Sequence, residues 1–426
     1  MDIVLEGRAW FKGRLEQCCI GIEDGKVAAV KRSLDGDRKY HYGDMVILPG
    51  AIDAHVHFRE PGFTDKEDFS TGSISAAFGG VTCAFDMPNT RPATVTLDVL
   101  REKRSMASRR SWIDFGLFAG VTPNNDMGSM AKEAIGYKMF MGSSTQSILV
   151  TKDEDIKRAL EVAKEKGKVL SVHAEEEHMI KKDLATSLAD HAVNRPSKAE
   201  ASAIERLARL NEQTRVNICH VSSVEGMMAL KGRAFIKEVA PHHALLDLDF
   251  KLGAKGKVNP PLRQGTDRDA VLAAFQQGRF DILASDHAPH SLEDKAQEFN
   301  SAPSGVPGVE TMVPIMLSLV KKGKLDMSVL VKCAAHNPGD IFGLKKGRIE
   351  PGYDADLMVI DPGRTTRIRG EDLHSKCGWT PFEKWDAIFP VSVFLRGEEL
   401  IRDGNIVGER KGRDVIASQQ LSGRSQ

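Results

Sequence analysis

The chain has 426 residues, and its 59 Lys plus Arg balance 59 Asp plus Glu, so no net field draws it to nucleic acid or an anionic membrane. No apolar run approaches a membrane span, and residues 1–6 lack the basic region and apolar stretch of a leader; the expectation is a cytoplasmic chain with no membrane and no nucleic-acid partner. Six cysteines (Cys18, Cys19, Cys83, Cys219, Cys333, Cys377) show no Cys-x-x-Cys spacing and several lie inside apolar runs, a pattern of reduced core thiols that excludes a disulfide framework and a cysteine-held metal.

In chain order, residues 18–30 are interrupted by Asp24-Gly25 and read as a β-hairpin. Residues 45–52 form an apolar run suited to a strand buried on both faces, as in a parallel barrel. Directly after it comes Asp53-Ala54-His55-Val56-His57-Phe58-Arg59-Glu60-Pro61-Gly62. A strand repeats every two residues, so His55 and His57 point the same way at its carboxyl end. One His-x-His pair leaves a metal site and ordinary packing equally open.

Further short apolar runs follow at residues 80–86, 113–119, 134–141, 169–173, 216–220, 235–240 and 280–286. The fourth run of the whole set carries Lys138, the fifth closes on His173, the sixth on His220 and the eighth on Asp286. Between them, residues 153–166 and 198–210 carry apolar side chains at three and four spacing, the helical period. The alternation predicts an α/β fold, a TIM-type (β/α)8 barrel, with its site at the carboxyl ends of the strands. Four histidines, one aspartate and a buried lysine at those ends form a dinuclear metal constellation.

Lys138 needs its own argument, because an ammonium repels metal cations. Beside two divalent ions its charged form is disfavoured, and the neutral amine captures carbon dioxide. The resulting carbamate, N6-carboxylysine, offers two oxygens that bridge the metals. The competing reading is a lysine reaching a carboxylate at the barrel rim; the histidines favour the carbamate.

Past the seventh run, His242 and His243 are candidates for support of the site or for plain packing. The stretch 291–307 mixes charge with Pro and Gly and reads as a wall or lid over the catalytic face. Residues 391–407 are broken at Gly397-Glu398 and Asp403-Gly404, again as hairpins. Neither end has enough strands for a core of its own, so both are expected to join in one small β-sandwich. The expected division is 1–49 and 340–426 for that sandwich and tail, and 50–339 for the barrel, with residues 418–426 frayed.

From near the N-terminus to about residue 410 the chain resembles the type I dihydroorotases of the amidohydrolase superfamily. The resemblance rests on residues 53–62, Asp86-Met87-Pro88-Asn89-Thr90-Arg91-Pro92, His173-Ala174-Glu175, His220-Val221-Ser222-Ser223, Pro241-His242-His243, Asn259-Pro260-Pro261-Leu262-Arg263 and Ser285-Asp286-His287-Ala288-Pro289-His290, with a further similar stretch at 375–382. It implies the same barrel and accessory domain. It also implies two divalent metals, for which zinc suits the donors best, held by His55, His57, Asp286 and one carbamate oxygen of Lys138 on one side and by His173, His220 and the other oxygen on the other. Some bacterial members carry Asp in place of this lysine; this chain follows the lysine pattern.

On the same resemblance, Arg59, Asn89 and His290 hold the substrate carboxylate, Asn259 meets the ring, and the backbone of Pro307 and Gly308 lies against it. The implied reaction is the reversible hydrolysis of dihydroorotate to N-carbamoyl-L-aspartate in pyrimidine biosynthesis. There a hydroxide bridging the metals attacks the amide carbonyl, and Asp286 carries its proton to the leaving ring nitrogen. An allantoinase or hydantoinase would share every metal ligand. A different class of reading is a silent scaffold beside aspartate transcarbamoylase, although no ligand is missing here. A homodimer, or a complex with that enzyme, is the assembly the resemblance implies.

Overall fold

The structure is a computed structural model and describes residues 1–144 and 148–417; the tail expected to fray lies outside them. The chain opens with β1 (Ile3–Phe11), β2 (Arg14–Glu23), β3 (Lys26–Lys31) and β4 (Arg38–Pro49). The barrel strands are β5 (Ala51–Val56), β6 (Val81–Asp86), β7 (Asp114–Gly120), β8 (Gly136–Phe140), β9 (Leu170–His173), β10 (Val216–Ile218), β11 (Ile236–Val239) and β12 (Ile282–Leu283). The short strands β13 (Leu357–Ile360), β14 (Thr366–Arg367), β15 (Asp386–Ala387), β16 (Pro390–Leu395), β17 (Glu398–Arg402) and β18 (Asn405–Ile406) complete the set.

Strands β5 to β12 pair in sequence order, each parallel to the next, with helices such as Asp153–Glu165 and Ser197–Leu210 in the connections. The ring closes where Val56 bridges His287 and the His57 N–H donates to the His287 carbonyl at 2.8 Å. The Asp53 carboxylate adds a second tie by accepting the Ser285 N–H at 3.1 Å. The eightfold parallel barrel is therefore the one expected from the alternation of apolar runs.

The two chain ends meet in one hydrogen-bonded sheet of order β18-β17-β16-β13-β4-β1-β2-β3, joined where β4 runs antiparallel to β13. Ile3, Ile20, Ile22, Ile47, Leu357, Val359 and Phe394 share its core. Two of the predicted hairpin turns, at Asp24-Gly25 and Asp403-Gly404, fall where the sequence places them, and the one read at Gly397-Glu398 lies one residue earlier. Asp24 and Gly25 (φ 49° and 73°), Arg396 and Gly397 (48° and 77°) and Asp403 and Gly404 (47° and 74°) each supply the paired positive φ that a tight two-residue turn requires.

One boundary differs from the sequence reading. The apolar run 45–52 is not a single barrel strand: it breaks at Gly50, and β4 belongs to the terminal sheet while β5 starts the barrel. Hydrophobicity alone could not mark the break, since both pieces are buried. The physical mark is Gly50, where a Cβ would stand 2.3–2.9 Å from the Thr82 side chain.

A second irregularity aims the site. The pairing of β5 with β6 shifts register between Asp53 and Val56. Before the shift, Ile52 and Ala54 share the apolar cluster of Cys83, Phe85, Phe118, Ile282 and Ala284; after it, Val56 and Phe58 join the cluster that holds Phe69, Ile74 and Phe78. The shift changes which parity of residue faces inward, so His55 and His57 take over the inner face above an apolar floor. Among the described residues, no helix is long and apolar enough to cross a membrane.

Candidate metal centre

The carboxyl ends of five strands bring the expected donors together. His57 Nε2 lies 3.1 Å and His55 Nε2 3.4 Å from Asp286 Oδ1, and one ion could reach all three groups. His173 Nδ1 and His220 Nε2 face each other at 3.2 Å. Lys138 lies between the two sets, with Nζ 3.4 Å from His55 Nε2 and 3.1 Å from Cys219 Sγ. All of these residues but Asp286 are buried, and Asp286 is 12% exposed at the mouth.

The outer nitrogens explain why the inner ones are free to bind. Glu238 Oε1 is 2.7 Å from His55 Nδ1, Asn89 Oδ1 is 2.7 Å from His57 Nδ1, and Glu175 Oε2 is 2.8 Å from His173 Nε2. Each oxygen accepts a hydrogen bond from the outer ring N–H, which leaves the inner nitrogen aimed into the site. The backbone is strained at the same place. Arg59 (φ 62°), His220 (φ 37°) and Asp286 (φ 47°) sit in the left-handed region that non-glycine residues rarely adopt, at about 1 kcal/mol or more each.

The electrostatics ask for positive charge. Burial holds His57 down to about 3 and keeps His173 and His220 below the ordinary imidazole range. Burial and Lys138 also oppose a proton on His55, yet the carboxylates of Asp286 and Glu238 raise it to about 10. Asp286 is itself held well below the carboxylate range, against its burial, by His55, His57 and His220. Divalent cations would meet that demand, and the nitrogen and carboxylate donors suit them.

The surroundings of Lys138 bear on the two readings of its side chain. It is fully buried, and no carboxylate among the described residues pairs with it; its neighbours are an imidazole, a thiol and the Phe140 ring, 5.2 Å from Nζ. An uncompensated ammonium in such a place is expensive. The rim-carboxylate reading therefore has no partner to offer.

The substrate-side residues are brought together only in part. Arg59 is buried, with Nε donating to the Pro289 carbonyl at 3.2 Å and Nη2 3.1 Å from His290 Nε2. Asn89 reaches the group through His57. Asn259 instead points its Oδ1 at His191 Nε2, 2.9 Å away. The Gly308 N–H donates to His287 Nδ1 at 3.1 Å, so that backbone group is already occupied; Pro307 lines a small cavity with Gly308, His287 and Thr311. His242 and His243 are buried in the helix Pro241–Leu245, where His243 Nε2 donates to the Pro260 carbonyl at 2.9 Å and its ring centroid is 6.3 Å from that of His220.

Three residues escaped the sequence reading as participants. Glu238 lies in the run read as the seventh barrel strand, and an acid inside such a run was the available signal. Glu175, two residues from His173, is in turn held by Arg195. The third, Trp379, gives the stretch 375–382 a role: its indole N–H donates to the His290 carbonyl at 2.8 Å and so fixes one wall. The 291–307 stretch is likewise pinned. Lys295 donates to the carbonyls of Ala254, Lys257 and Pro303, and Lys257 to those of Phe299, Asn300 and Ala302.

Known proteins share this sequence and this shape. The amidohydrolase family matches residues 46–400. A dihydroorotase of Thermoplasma volcanium is 39% identical over 417 residues, covering 97% of this chain and 98% of its own, and one of Thermoplasma acidophilum is 40% identical over 405 residues, 94% and 95%. Among solved structures, an L-hydantoinase (dihydropyrimidinase) from Arthrobacter aurescens superposes with a TM-score of 0.92 at 29% identity, covering 97% of this chain and 99% of its own. The chain belongs to the amidohydrolase family, and its curated relatives named here are dihydroorotases.

Proposed function

We propose that this chain is a dihydroorotase, catalysing the reversible ring opening of dihydroorotate to N-carbamoyl-L-aspartate in pyrimidine synthesis in the cytoplasm. The observation that carries the chemistry is the ring of inward-facing imidazole nitrogens around a buried lysine that lacks a carboxylate partner. His55, His57 and Asp286 would hold one divalent cation, zinc by donor type, and His173 and His220 the other. Lys138, as N6-carboxylysine, would give each an oxygen. When bound, such cations activate water and polarise a carbonyl.

The protein's own groups do the rest. Asp286, kept ionised by its imidazole neighbours, accepts the proton of the attacking water and returns it to the ring nitrogen as the C–N bond breaks. Arg59 and His290 present N–H groups to the substrate carboxylate, and Asn89, assigned to the same carboxylate, also orients His57. Asn259, Pro307 and Gly308 are assigned to the ring side of the pocket.

Hydantoinases share the fold, so the substrate separates the two readings. A neutral ring gives no use for the buried guanidinium of Arg59, and the sequence relatives near 40% identity are dihydroorotases while the hydantoinase match stands at 29%. The test is kcat/KM for dihydroorotate against hydantoin and allantoin. Dihydroorotate should exceed both by at least about 10³-fold, as a site built around a charged partner discriminates; a preference for either rival substrate overturns the assignment. Lys138→Ala should lose turnover together with bound metal, read as equivalents per chain. Retention of two metals and of activity would remove the bridging role.

A further inference from the structure

A loop lysine outside the ligand set bears on how the substrate carboxylate is gripped. Lys66 follows Arg59 in the turn after β5, where the Phe63 N–H donates to the Arg59 carbonyl and the Lys66 N–H to that of Phe63, both at 3.0 Å. Its Nζ lies 3.2 Å from His290 Nδ1 and 2.9 Å from Asp294 Oδ2. An ammonium has only N–H to give, so His290 Nδ1 must meet it with a lone pair. The ring proton then resides on Nε2, where the Ser304 carbonyl accepts it at 3.0 Å. Arg59 Nη2, 3.1 Å from the same Nε2, is also a donor without acceptor capacity. Arg59 Nη2 and the His290 Nε2–H thus converge beside the Ser304 carbonyl, and a bound carboxylate oxygen is a group that could accept from both, sharing the Nε2 proton with Ser304.

We propose that Lys66 is a positioning residue that fixes His290 in its Nε2–H tautomer, so that His290 and Arg59 offer a paired grip to the carboxylate of the substrate. The inference rests on the dihydroorotase reading for its substrate, and on the geometry alone for its tautomer. The groups facing His290 are Arg59, Lys66, Lys295 and Asp294, with the Ser304 carbonyl at its ring Nε2 and the Trp379 indole N–H on its backbone carbonyl. Burial and the three cations keep the imidazole neutral. Without Lys66, the Asp294 carboxylate, 3.7 Å from Nδ1, would draw the proton there and turn a lone pair toward the substrate.

The experiment has two arms. Nitrogen chemical shifts of His290 in the wild-type protein should report the Nε2–H tautomer from about pH 6 to 8.5; a majority Nδ1–H form overturns the proposal whatever the substrate proves to be. In the second arm, Lys66→Met should raise KM for dihydroorotate about tenfold at pH 8, the scale of one hydrogen bond to a charged group, with kcat within about twofold of wild type. Lys66→Arg, which keeps the donor, should restore KM. An unchanged KM in Lys66→Met at pH 8, or a KM that Lys66→Arg fails to restore, refutes the positioning role. Failure of the wild type to open dihydroorotate would instead strike the functional assignment and leave the tautomer result standing.

Discussion

Lys346, near the amino ends of the barrel strands, and Lys138, near their carboxyl ends, are both buried lysines amid metal-binding residue types, and their surroundings are opposite. Around Lys346 stand Asp114, Asp354 and Asp356, with Nζ 2.5–2.8 Å from each, and Arg396 completes the group at Asp114. Those three carboxylates could in principle hold an ion. Their own lysine already fills the place, and they hold it charged, well above the ordinary range, against its burial. Lys138 has an imidazole and a thiol instead. A carboxylate nest with an internal cation is a structural staple, here tying the first residue of β7 to the terminal sheet; an imidazole nest with nitrogens turned inward is one whose donors could hold a metal ion.

The comparison breaks most sharply at Asp286. Asp286→Asn should cut kcat at least about 10³-fold, the scale of a lost general acid–base, while the midpoint of thermal unfolding of the metal-loaded protein stays within a few degrees. A variant with wild-type kcat would empty the site of its chemistry. Lys346→Met should do the reverse. Leaving three buried carboxylates without their cation costs about 3–4 kcal/mol of stability, read in urea, with metal content per chain unchanged. If instead metal were lost and stability kept, the two lysines would have exchanged roles. A milder probe is Glu175→Gln, which removes the charged acceptor behind His173 and should weaken metal retention about 10- to 100-fold in a chelator competition. Retention equal to wild type would mean that Glu175 serves only Arg195.

How far these features could be read in the sequence follows from the range of the interactions. His55, His57, His173, His220, Lys138 and Asp286 each end or interrupt an apolar run, so local pattern revealed them, and the barrel followed from the same runs. The register shift that brings His55 and His57 inward was hidden, because simple alternation predicts the same pair of side chains on one face. Glu238 was hidden for another reason: its partner His55 lies 183 residues away, and only the closed barrel puts them 2.7 Å apart. Lys346 and its carboxylates, drawn from β7 and from the approach to β13, are equally nonlocal. The break at Gly50 needed knowledge of Thr82. Asn259 lies in a motif and Gly308 just past the 291–307 stretch, but what their polar groups touch, His191 and His287, depends on the packing of the loops.

Glu200 stands between the two extremes and gives the smallest expected effect. It is buried on the helix Ser197–Leu210, accepts from the Ser222 N–H at 2.8 Å and from the Ser223 hydroxyl, and so ties that helix to the turn that carries His220. Burial pushes it up to about 7 from an ordinary 4.5, with Arg263 and the serines only partly offsetting that cost. Because the folded state raises this carboxyl, its contribution is fully present below about pH 4.5 and is lost as pH rises through about 7. Glu200→Gln keeps the shape and removes the titration. Between pH 5 and pH 8 the wild type should therefore lose stability relative to the variant, on the order of 1 kcal/mol in paired urea titrations. A difference that stays flat across that window would mean the serine donors hold Glu200 ionised, and it would move this carboxylate into the self-satisfied class of Asp114.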